Sequence, residues 1–256
     1  MKNKLEFAKQ IVLGAGDYLR LHLHDDLMIS KKTGPTDLVT QMDQQVQKDL
    51  VEKITHRYPE DRIFAEEDGL RSPISEGSVW VIDPIDGTNN FVTQKEDFAV
   101  MVAYFEDGIG QFGLIYDVMR DHLFYGGGEF PVYRNEVELT PFVDQPLENF
   151  LIASNVGMLE KNDWGMADLG MDSLGIRVYG SAGISFSKIL SGGILAYFSY
   201  IWPWDYAAAA IMGEQLGYTV LNLNGDKPNY QSVEPIMMVP KVKLTEIQTY
   251  LKKGRS

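Results

Sequence analysis

Short apolar runs between residues 62 and 126 constrain the fold of this chain more than any other feature. They are RIFA, VWVI, FAVMVAYF, QFGLIY and HLFYG, and glycine, aspartate or proline residues separate them. Apolar runs of this length, bounded by turn residues, are typical of buried β-strands, and closely spaced runs are typical of hairpins. The first half of the chain is therefore predicted to contain a sheet of largely antiparallel strands.

Helical patterns lie on both sides of this predicted sheet. Apolar residues recur at helical spacing from Leu5 to Leu19, and a second helical pattern runs from Asp43 to His56. Further along the chain, GISFSKILSGG and LTEIQTYLKK predict helices, and FLIAS and IMMVP predict strands. The alanine-rich run from Tyr206 to Leu216 predicts one more helix, with Asp205 at or near its N-cap.

This mixture lacks the strict strand–helix–strand rhythm of a parallel α/β protein, so it favours α+β layers. The chain has 256 residues, of which 45% are hydrophobic, enough for one large core or for two modest lobes around a cleft. Pro141 and Pro146 flank a polar stretch that is typical of a boundary. We therefore expect an N-terminal α+β lobe over residues 1–145 and a C-terminal α/β lobe over residues 146–256.

Charge and cysteine content exclude several classes of protein. The formal net charge is -13, so we expect no direct binding to nucleic acid and no attraction to anionic membranes. The chain has no cysteine, which excludes a disulfide, a thiol nucleophile and a thiolate metal site, and which suits a reducing compartment. No stretch reaches the roughly 18 apolar residues of a membrane span, so a soluble, cytoplasmic protein is expected.

The segment WVIDPIDGTNNF, residues 80 to 91, is the strongest candidate for a reactive centre. Asp83 ends an apolar run, and Pro84 biases it towards extended backbone, so its carboxylate projects from a strand end. Asp86 follows, and Gly87 allows backbone N–H groups to approach an anion without an intervening Cβ atom. An ordinary turn is the alternative, because Asp-Pro and Asp-Gly are both common turn dipeptides.

Two other segments favour a site over a turn. FAEEDG places Glu66 and Glu67 after another predicted strand, and WPWDYAA places Asp205 before a predicted helix. Oxygen ligands from several segments are what magnesium prefers, usually together with water and a substrate phosphate. Trp202 and Trp204 are expected to pack in the core, and YGGGEF is expected to form a hairpin loop because it lacks the Lys-Ser/Thr of a phosphate-binding loop.

Five ordered motifs together resemble one known family. GPTDLVTQMD, AEEDG, WVIDPIDGTNNF, YGSAG and WPWDYAAAA occur in this order at spacings similar to those of the inositol monophosphatase-like phosphatases, which are magnesium-dependent and lithium-sensitive. The resemblance implies the layered αβαβα sugar-phosphatase fold, an active site between two lobes, and commonly a homodimer. It also implies that most metal ligands lie in the first lobe.

The metal ligands implied by the resemblance come from three of these segments. One magnesium ion would use Glu66, Asp83, the Ile85 carbonyl and Thr88. A second would be shared among Asp83, Asp86 and Asp205, and a third, weaker ion near Glu66 is implied for some relatives. Two to three magnesium ions and inhibition by lithium are therefore expected.

The same resemblance implies catalytic roles. Thr88, oriented by Asp43, would help to deprotonate the attacking water, and Glu66 is the other candidate for handling that proton. Asp43 has a second interpretation, as the plain N-cap of the helix that it opens. Lys32, Asp37 and Thr40 match a mobile loop that approaches the metals.

The resemblance implies the reaction type more firmly than it implies the substrate. The residues implied to contact substrate are Asp86, Gly87, Thr88, Gly180, Ser181, Ala182, Phe198 and Asp205. Backbone N–H groups of Gly87 and Thr88 at a helix start would bind the phosphate. Phe198 stands where relatives specific for inositol phosphates carry a glutamate, so polar contacts to a ring hydroxyl are lost. Its phenyl ring either stacks on a base or simply packs in the core.

These observations predict a magnesium-dependent phosphomonoesterase that hydrolyses small phosphorylated substrates such as inositol monophosphate. The alternative substrates are NADP(H) and adenosine 3′,5′-bisphosphate, which Phe198 favours. A second alternative is a protein-binding regulatory role in transcription or RNA processing, as the resemblance implies for some bacterial relatives. Every implied metal ligand is present, which argues against a loss of catalysis.

Overall fold

The computed structural model describes residues 1–25, 29–31 and 38–253. Its helices are α1 (Lys2–Leu21), α2 (Gln41–Arg57), α3 (Thr88–Thr93), α4 (Val156–Glu160), α5 (Met166–Asp172), α6 (Ala182–Leu190), α7 (Pro203–Gln215) and α8 (Leu244–Lys253). Its strands are β1 (Ile29–Lys31), β2 (Leu38–Thr40), β3 (Arg62–Ala65), β4 (Ser78–Asp86), β5 (Ala99–Glu106), β6 (Ile109–Asp117), β7 (His122–Gly127), β8 (Phe130–Arg134), β9 (Val137–Glu138), β10 (Leu151–Ser154), β11 (Gly175–Arg177), β12 (Tyr197–Ile201), β13 (Tyr218–Asn222) and β14 (Glu234–Pro240).

Two large sheets organise the described residues. The larger sheet has the strand order β3-β4-β5-β6-β7-β8-β9, and only its β3-β4 pair is parallel among the pairs described. The smaller sheet has the order β11-β10-β12-β14-β13, with parallel pairs around β10 and antiparallel pairs around β14. The predicted antiparallel hairpins are therefore confirmed, including the β7-β8 hairpin over YGGGEF.

Three apolar clusters separate the layers. Helices α1 and α2 pack on one face of the larger sheet around Leu50 and Trp80. Helices α6 and α7 lie between the two sheets, where the cluster contains Val81, Phe186 and Met238. Helices α5 and α8 belong to the layer that covers the far face of the smaller sheet. This order of helix, sheet, helix, sheet and helix confirms the predicted αβαβα fold.

The division into lobes at residue 145 stays a prediction. The cluster between the sheets contains side chains from both halves of the chain, such as Phe105 and Ile184. None of the helices in the described part of the chain is both long enough and apolar enough to cross a membrane.

Gly113 sets the distance between β6 and α7, the helix that carries Asp205. A Cβ atom at Gly113 would lie 2.3 Å from the backbone oxygen of Ala208, so the two elements could not keep their spacing. We expect Gly113→Ala to lower the free energy of unfolding by about 2 kcal/mol or more, as overpacking does. Urea denaturation measures this change.

Gly14 in α1 offers a matched control, because a Cβ atom there would meet nothing within 4 Å. Gly14→Ala should raise stability by about 0.5 to 1 kcal/mol, since glycine is unfavourable inside a helix. Equal stability of Gly113→Ala and the parent protein would contradict the close packing of α7 on β6.

Candidate active site

Three carboxylates meet at the end of β4 and the start of α7. Oxygen atoms of Asp83, Asp86 and Asp205 all lie within 4.8 Å of one another. Asp83 is 1% exposed and Asp86 is 6% exposed, so both carboxylates are almost out of contact with solvent. The structure thus brings together predicted ligands that are more than a hundred residues apart in sequence.

A bulge in β4 places the two aspartates on one face. Strand residues alternate between faces, so residues three apart normally point in opposite directions. Here Asp83 pairs with Met101 and Asp86 with Ala99. An advance of three residues along β4 therefore corresponds to an advance of only two residues along β5. The extra residue at Pro84-Ile85 puts the Asp83 and Asp86 side chains on the same face of the sheet. Bulges of this kind are common beside active sites.

Asp205 is positioned by the start of its helix. The N-cap of α7 is Trp202, and the backbone N–H of Trp202 donates to Oδ2 of Asp205 at 2.7 Å. Asp205 therefore lies in the first turn, as the prediction placed it near the N-cap. Its carboxylate also contacts that of Asp83.

Asp86 is held by the N-terminus of α6. Its two oxygens accept from the backbone N–H of Ala182 at 3.0 Å and of Gly183 at 2.8 Å, and from the hydroxyl of Ser181. These donors and the helix dipole favour a negative charge at this position. Ser181 and Ala182, predicted to contact substrate, thus contact Asp86, and a substrate contact for them stays a prediction.

The electrostatics of the cluster are unfavourable without a cation. Burial raises the pKa of Asp83 well above its usual range, and the charges of Glu66, Asp86 and Asp205 raise it further. Burial and the charges of Asp86 and Glu66 likewise raise the pKa of Asp205. Burial also raises the pKa of Asp86, although its hydrogen bonds from α6 oppose that change.

One oxygen of Asp83 provides an independent sign of an absent partner. Oδ1 of Asp83 is buried and has no hydrogen-bond partner among the described residues. An unpaired buried carboxylate oxygen is costly, and a hard divalent cation is the partner that several carboxylates suit best. The donor set therefore fits magnesium.

Glu66 stands beside this cluster, directly after β3. Its backbone N–H donates to the Ile82 carbonyl at 3.2 Å, and its carbonyl accepts from Arg71 at 3.2 Å. Its charge acts on both Asp83 and Asp205. The structure therefore places Glu66 within electrostatic range of the carboxylates, as a ligand or proton acceptor requires.

A chain of hydrogen bonds joins Thr88 to the start of α2. The Thr88 hydroxyl donates to Oδ1 of Asp43 at 2.9 Å and lies 3.1 Å from the Ile85 carbonyl. Oδ2 of Asp43 accepts from the hydroxyl of Thr40 at 2.6 Å and from its backbone N–H at 2.7 Å. The interpretation of Asp43 as an N-cap is wrong, because α2 begins at Gln41 and its N-cap is Thr40.

Gly87 and Gly180 both need the left-handed backbone that glycine allows. Gly87 is the N-cap of α3 with φ of 88°, and Gly180 has φ of 71°. A Cβ atom at Gly87 would lie 2.9 Å from that of Ser181, so the turn at Gly87 and the YGSAG segment touch. Lys32 and Asp37, the other residues of the predicted mobile loop, lie outside the described residues.

The prediction that Phe198 contacts substrate is contradicted by its position. Phe198 is 0% exposed and packs with Met237 in the cluster on the far face of the smaller sheet. Alternation along β12 turns its neighbours Tyr197 and Ser199 towards the acidic cluster instead. Burial raises the pKa of Tyr197, a hydrogen bond to Ser199 lowers it, and the charges of Asp86 and Asp205 raise it.

Comparison with known proteins decides the family. A model of the inositol monophosphatase family matches residues 1–253. The chain belongs to the inositol monophosphatase family. It is therefore a phosphoric monoester hydrolase, and the resemblance seen in the motifs is confirmed.

Individual relatives agree with this family assignment. The Inositol-1-monophosphatase of Bacillus subtilis (strain 168) is 36% identical over 227 residues, covering 86% of each chain. A structure of SaIMPase-II with 2′AMP bound is 29% identical, with a TM-score of 0.87 over 99% of this chain and 95% of that one. An IMPase/NADP phosphatase complexed with Mg2+ and phosphate is 25% identical, with a TM-score of 0.86 over 97% of this chain and 93% of that one.

Proposed function

We propose that this inositol monophosphatase family member is a magnesium-dependent phosphatase of small phosphate monoesters such as inositol monophosphate. The unpaired, buried Oδ1 of Asp83 within the cluster of three aspartates carries this proposal. Carboxylates in such a setting need a cation, and magnesium is abundant, hard and suited to phosphate. A relative with Mg2+ and phosphate bound supports the same choice.

The ligands of the metals would be Glu66, Asp83, the Ile85 carbonyl, Asp86, Thr88 and Asp205. When bound, two magnesium ions neutralise the phosphate dianion, lower the pKa of the attacking water and stabilise the leaving oxygen. A third ion near Glu66, inhibition by lithium, a homodimer and a cytoplasmic location are parts of the same proposal and follow from the family resemblance.

The proton of the attacking water would be handled by Thr88 and Asp43. Both neighbours of the Thr88 hydroxyl are acceptors, Oδ1 of Asp43 at 2.9 Å and the Ile85 carbonyl at 3.1 Å, so with its hydrogen on Asp43 the oxygen can accept another. As the water oxygen bonds to phosphorus and the ester P–O bond breaks, one proton of the water passes to Oγ1 of Thr88 and the hydrogen of Thr88 passes to Asp43, while the leaving alkoxide takes a proton from solvent. Thr40 fixes Asp43 through two further hydrogen bonds and keeps Oδ1 directed at Thr88.

Nucleotides are the second class of candidate substrate. One relative is named an IMPase/NADP phosphatase, and another has 2′AMP bound. Phe198 no longer supports this alternative, because its ring is buried away from the cluster. The NADP and adenosine 3′,5′-bisphosphate alternatives therefore depend on other aromatic groups near the site.

The decisive experiment measures phosphate release from inositol 1-phosphate, NADP and adenosine 3′,5′-bisphosphate, with magnesium and with chelator. Turnover of at least one substrate should require magnesium, and kcat/KM values rank the substrates. Magnesium at about 100 times its Kd should also raise the free energy of unfolding by about 2.7 kcal/mol. Thermal unfolding at increasing magnesium concentration measures that gain.

Two results would contradict the proposal. One is full activity in chelator, and the other is folded protein whose melting temperature does not respond to magnesium. Glu129→Gln serves as the control variant, because it removes an exposed charge in the β7-β8 turn, far along the chain from the implied ligands. It should behave like the parent protein in both assays.

A further inference from the structure

Trp202 is an exposed aromatic residue attached directly to the acidic cluster. Its side chain is 38% exposed, whereas the sequence predicted that it packs in the core. Its backbone N–H donates to Oδ2 of Asp205 at 2.7 Å. The same residue therefore carries the exposed indole ring and contacts an implied metal ligand. An exposed indole in this position needs an explanation.

The indole ring is held rigidly on one side. It stacks on Trp204 with ring centres 4.8 Å apart and an angle of 9° between the planes. Trp204 is itself 5% exposed, with the guanidinium of Arg71 4.5 Å from its centre and the ring of Phe64 at 5.7 Å. Because Trp204 covers one face of Trp202, the exposed area comes from the opposite face and the edge.

Arg71 places the ring at the border of the site. Its guanidinium lies 6.0 Å from the centre of the Trp202 ring and donates to the Glu66 carbonyl at 3.2 Å. The ring therefore lies near the guanidinium that contacts the Glu66 segment, and the backbone of Trp202 caps the helix that carries Asp205. A leaving group that extends from a phosphate at the carboxylate cluster towards this border would meet the indole.

The geometry points to Trp202 as a stacking platform that makes the enzyme favour phosphate monoesters whose alcohol carries a planar base. This inference rests on the proposed phosphatase function and adds a substrate-selecting residue to it. An indole has one N–H donor and no acceptor, so it offers little to the hydroxyls of a polyol. Its flat face suits a nucleobase, which stacks well on aromatic side chains.

A nucleoside 2′-phosphate is the most informative probe. In such a monoester the base and the phosphate are on neighbouring carbons of the ribose, so both groups can reach adjoining parts of one site. We compare kcat/KM for 2′-AMP and for inositol 1-phosphate in the parent, Trp202→Ala and Trp202→Phe. Tyr200→Ala is the matched control, because Tyr200 is a 44% exposed aromatic residue on the neighbouring strand β12.

Trp202→Ala should lower the ratio of kcat/KM for 2′-AMP over inositol 1-phosphate about tenfold, within the range of one lost base stack. Trp202→Phe should restore most of that ratio, and Tyr200→Ala should leave it within about twofold. An equal loss for both substrates would overturn the inference, because it would mean that Trp202 acts only through Asp205. An unaltered ratio would overturn it as well.

Binding separates this inference from the proposed function. The affinity for 2′-AMP is measured by calorimetric titration with calcium present. This affinity reports on stacking even if the protein hydrolyses neither substrate. Binding that weakens about tenfold in Trp202→Ala and recovers in Trp202→Phe would support the platform while the phosphatase proposal fails. Equal affinity of the parent and Trp202→Ala, or no binding by the parent, would overturn the platform.

Discussion

Asp83→Asn is expected to lower kcat/KM by about a thousandfold. The substitution removes one carboxylate ligand, and bound metal stabilises the charge of the transition state by several kcal/mol. Asp83 is the clearest choice among the three aspartates, since its Oδ1 has no hydrogen-bond partner among the described residues. Asp86 is less suitable, because it also accepts from the N–H groups of Ala182 and Gly183 and stabilises α6. Steady-state phosphate release at saturating magnesium measures the change.

The same substitution should make the metal-free protein more stable. Burial and neighbouring charges raise the pKa of Asp83 in the folded state, so its ionisation opposes folding once the pH exceeds the ordinary carboxyl value. The parent protein loses that part of its stability as the pH rises through the raised pKa, and Asp83→Asn does not. In chelator, the stability of Asp83→Asn relative to the parent should therefore grow as the pH rises from the ordinary carboxyl pKa to the raised one. Urea denaturation at several pH values measures this difference.

Glu129→Gln controls for the simple loss of one negative charge, since Glu129 is exposed in a turn. It should alter neither the activity nor the pH dependence of stability. If Asp83→Asn were less stable than the parent in chelator at neutral pH, the carboxylates would already be compensated within the protein, and the argument for a cation would fail.

Thr88→Val is expected to lower kcat about a hundredfold, because proton transfer by a positioned group contributes at least that much. The hydroxyl that donates to Asp43 at 2.9 Å is lost, while the side-chain volume is kept. Thr88→Ser retains the hydroxyl and should keep most of the activity. Pre-steady-state measurement of phosphate release separates the chemical step from product release.

Thr93→Val provides the control within the same short helix. Its hydroxyl donates only to the Asn89 carbonyl at 2.7 Å among the contacts described, so activity should hardly change. Should Thr88→Val and Thr88→Ser lose activity equally, the hydroxyl would not be the group that matters, and Glu66 would become the better candidate for the proton.

Much of the fold was predictable because local patterns agree with the tertiary structure. The strand RIFA and the helix LTEIQTYLKK have the predicted bounds, and the longer strands differ by one to a few residues at their ends. LTEIQTYLKK has helical hydrophobic periodicity, and RIFA is an apolar run with turn residues on both sides. Short elements such as β9 and β11 have two or three residues and carry no periodicity that a sequence could show.

The site was predictable in its residues but not in its geometry. Motif resemblance found Asp83, Asp86 and Asp205, yet the bulge that turns the first two to one face follows from strand pairing, which sequence does not display. The position of a glutamate in relatives selected Phe198, while the alternation of β12 turns Phe198 away from the cluster and Tyr197 towards it. Strict alternation along AYFSYI is the signal that could have identified Tyr197.

The bulge at Pro84-Ile85 makes the site sensitive to chain length as well as to residue type. Removing one residue between Asp83 and Asp86 would leave both carboxylates in the sequence but turn Asp86 to the face where Ile85 now packs. The N-terminus of α6 would then lose the anion that it holds. A lineage of such proteins can therefore change Pro84 or Ile85 more readily than it can gain or lose a residue at this point of the chain.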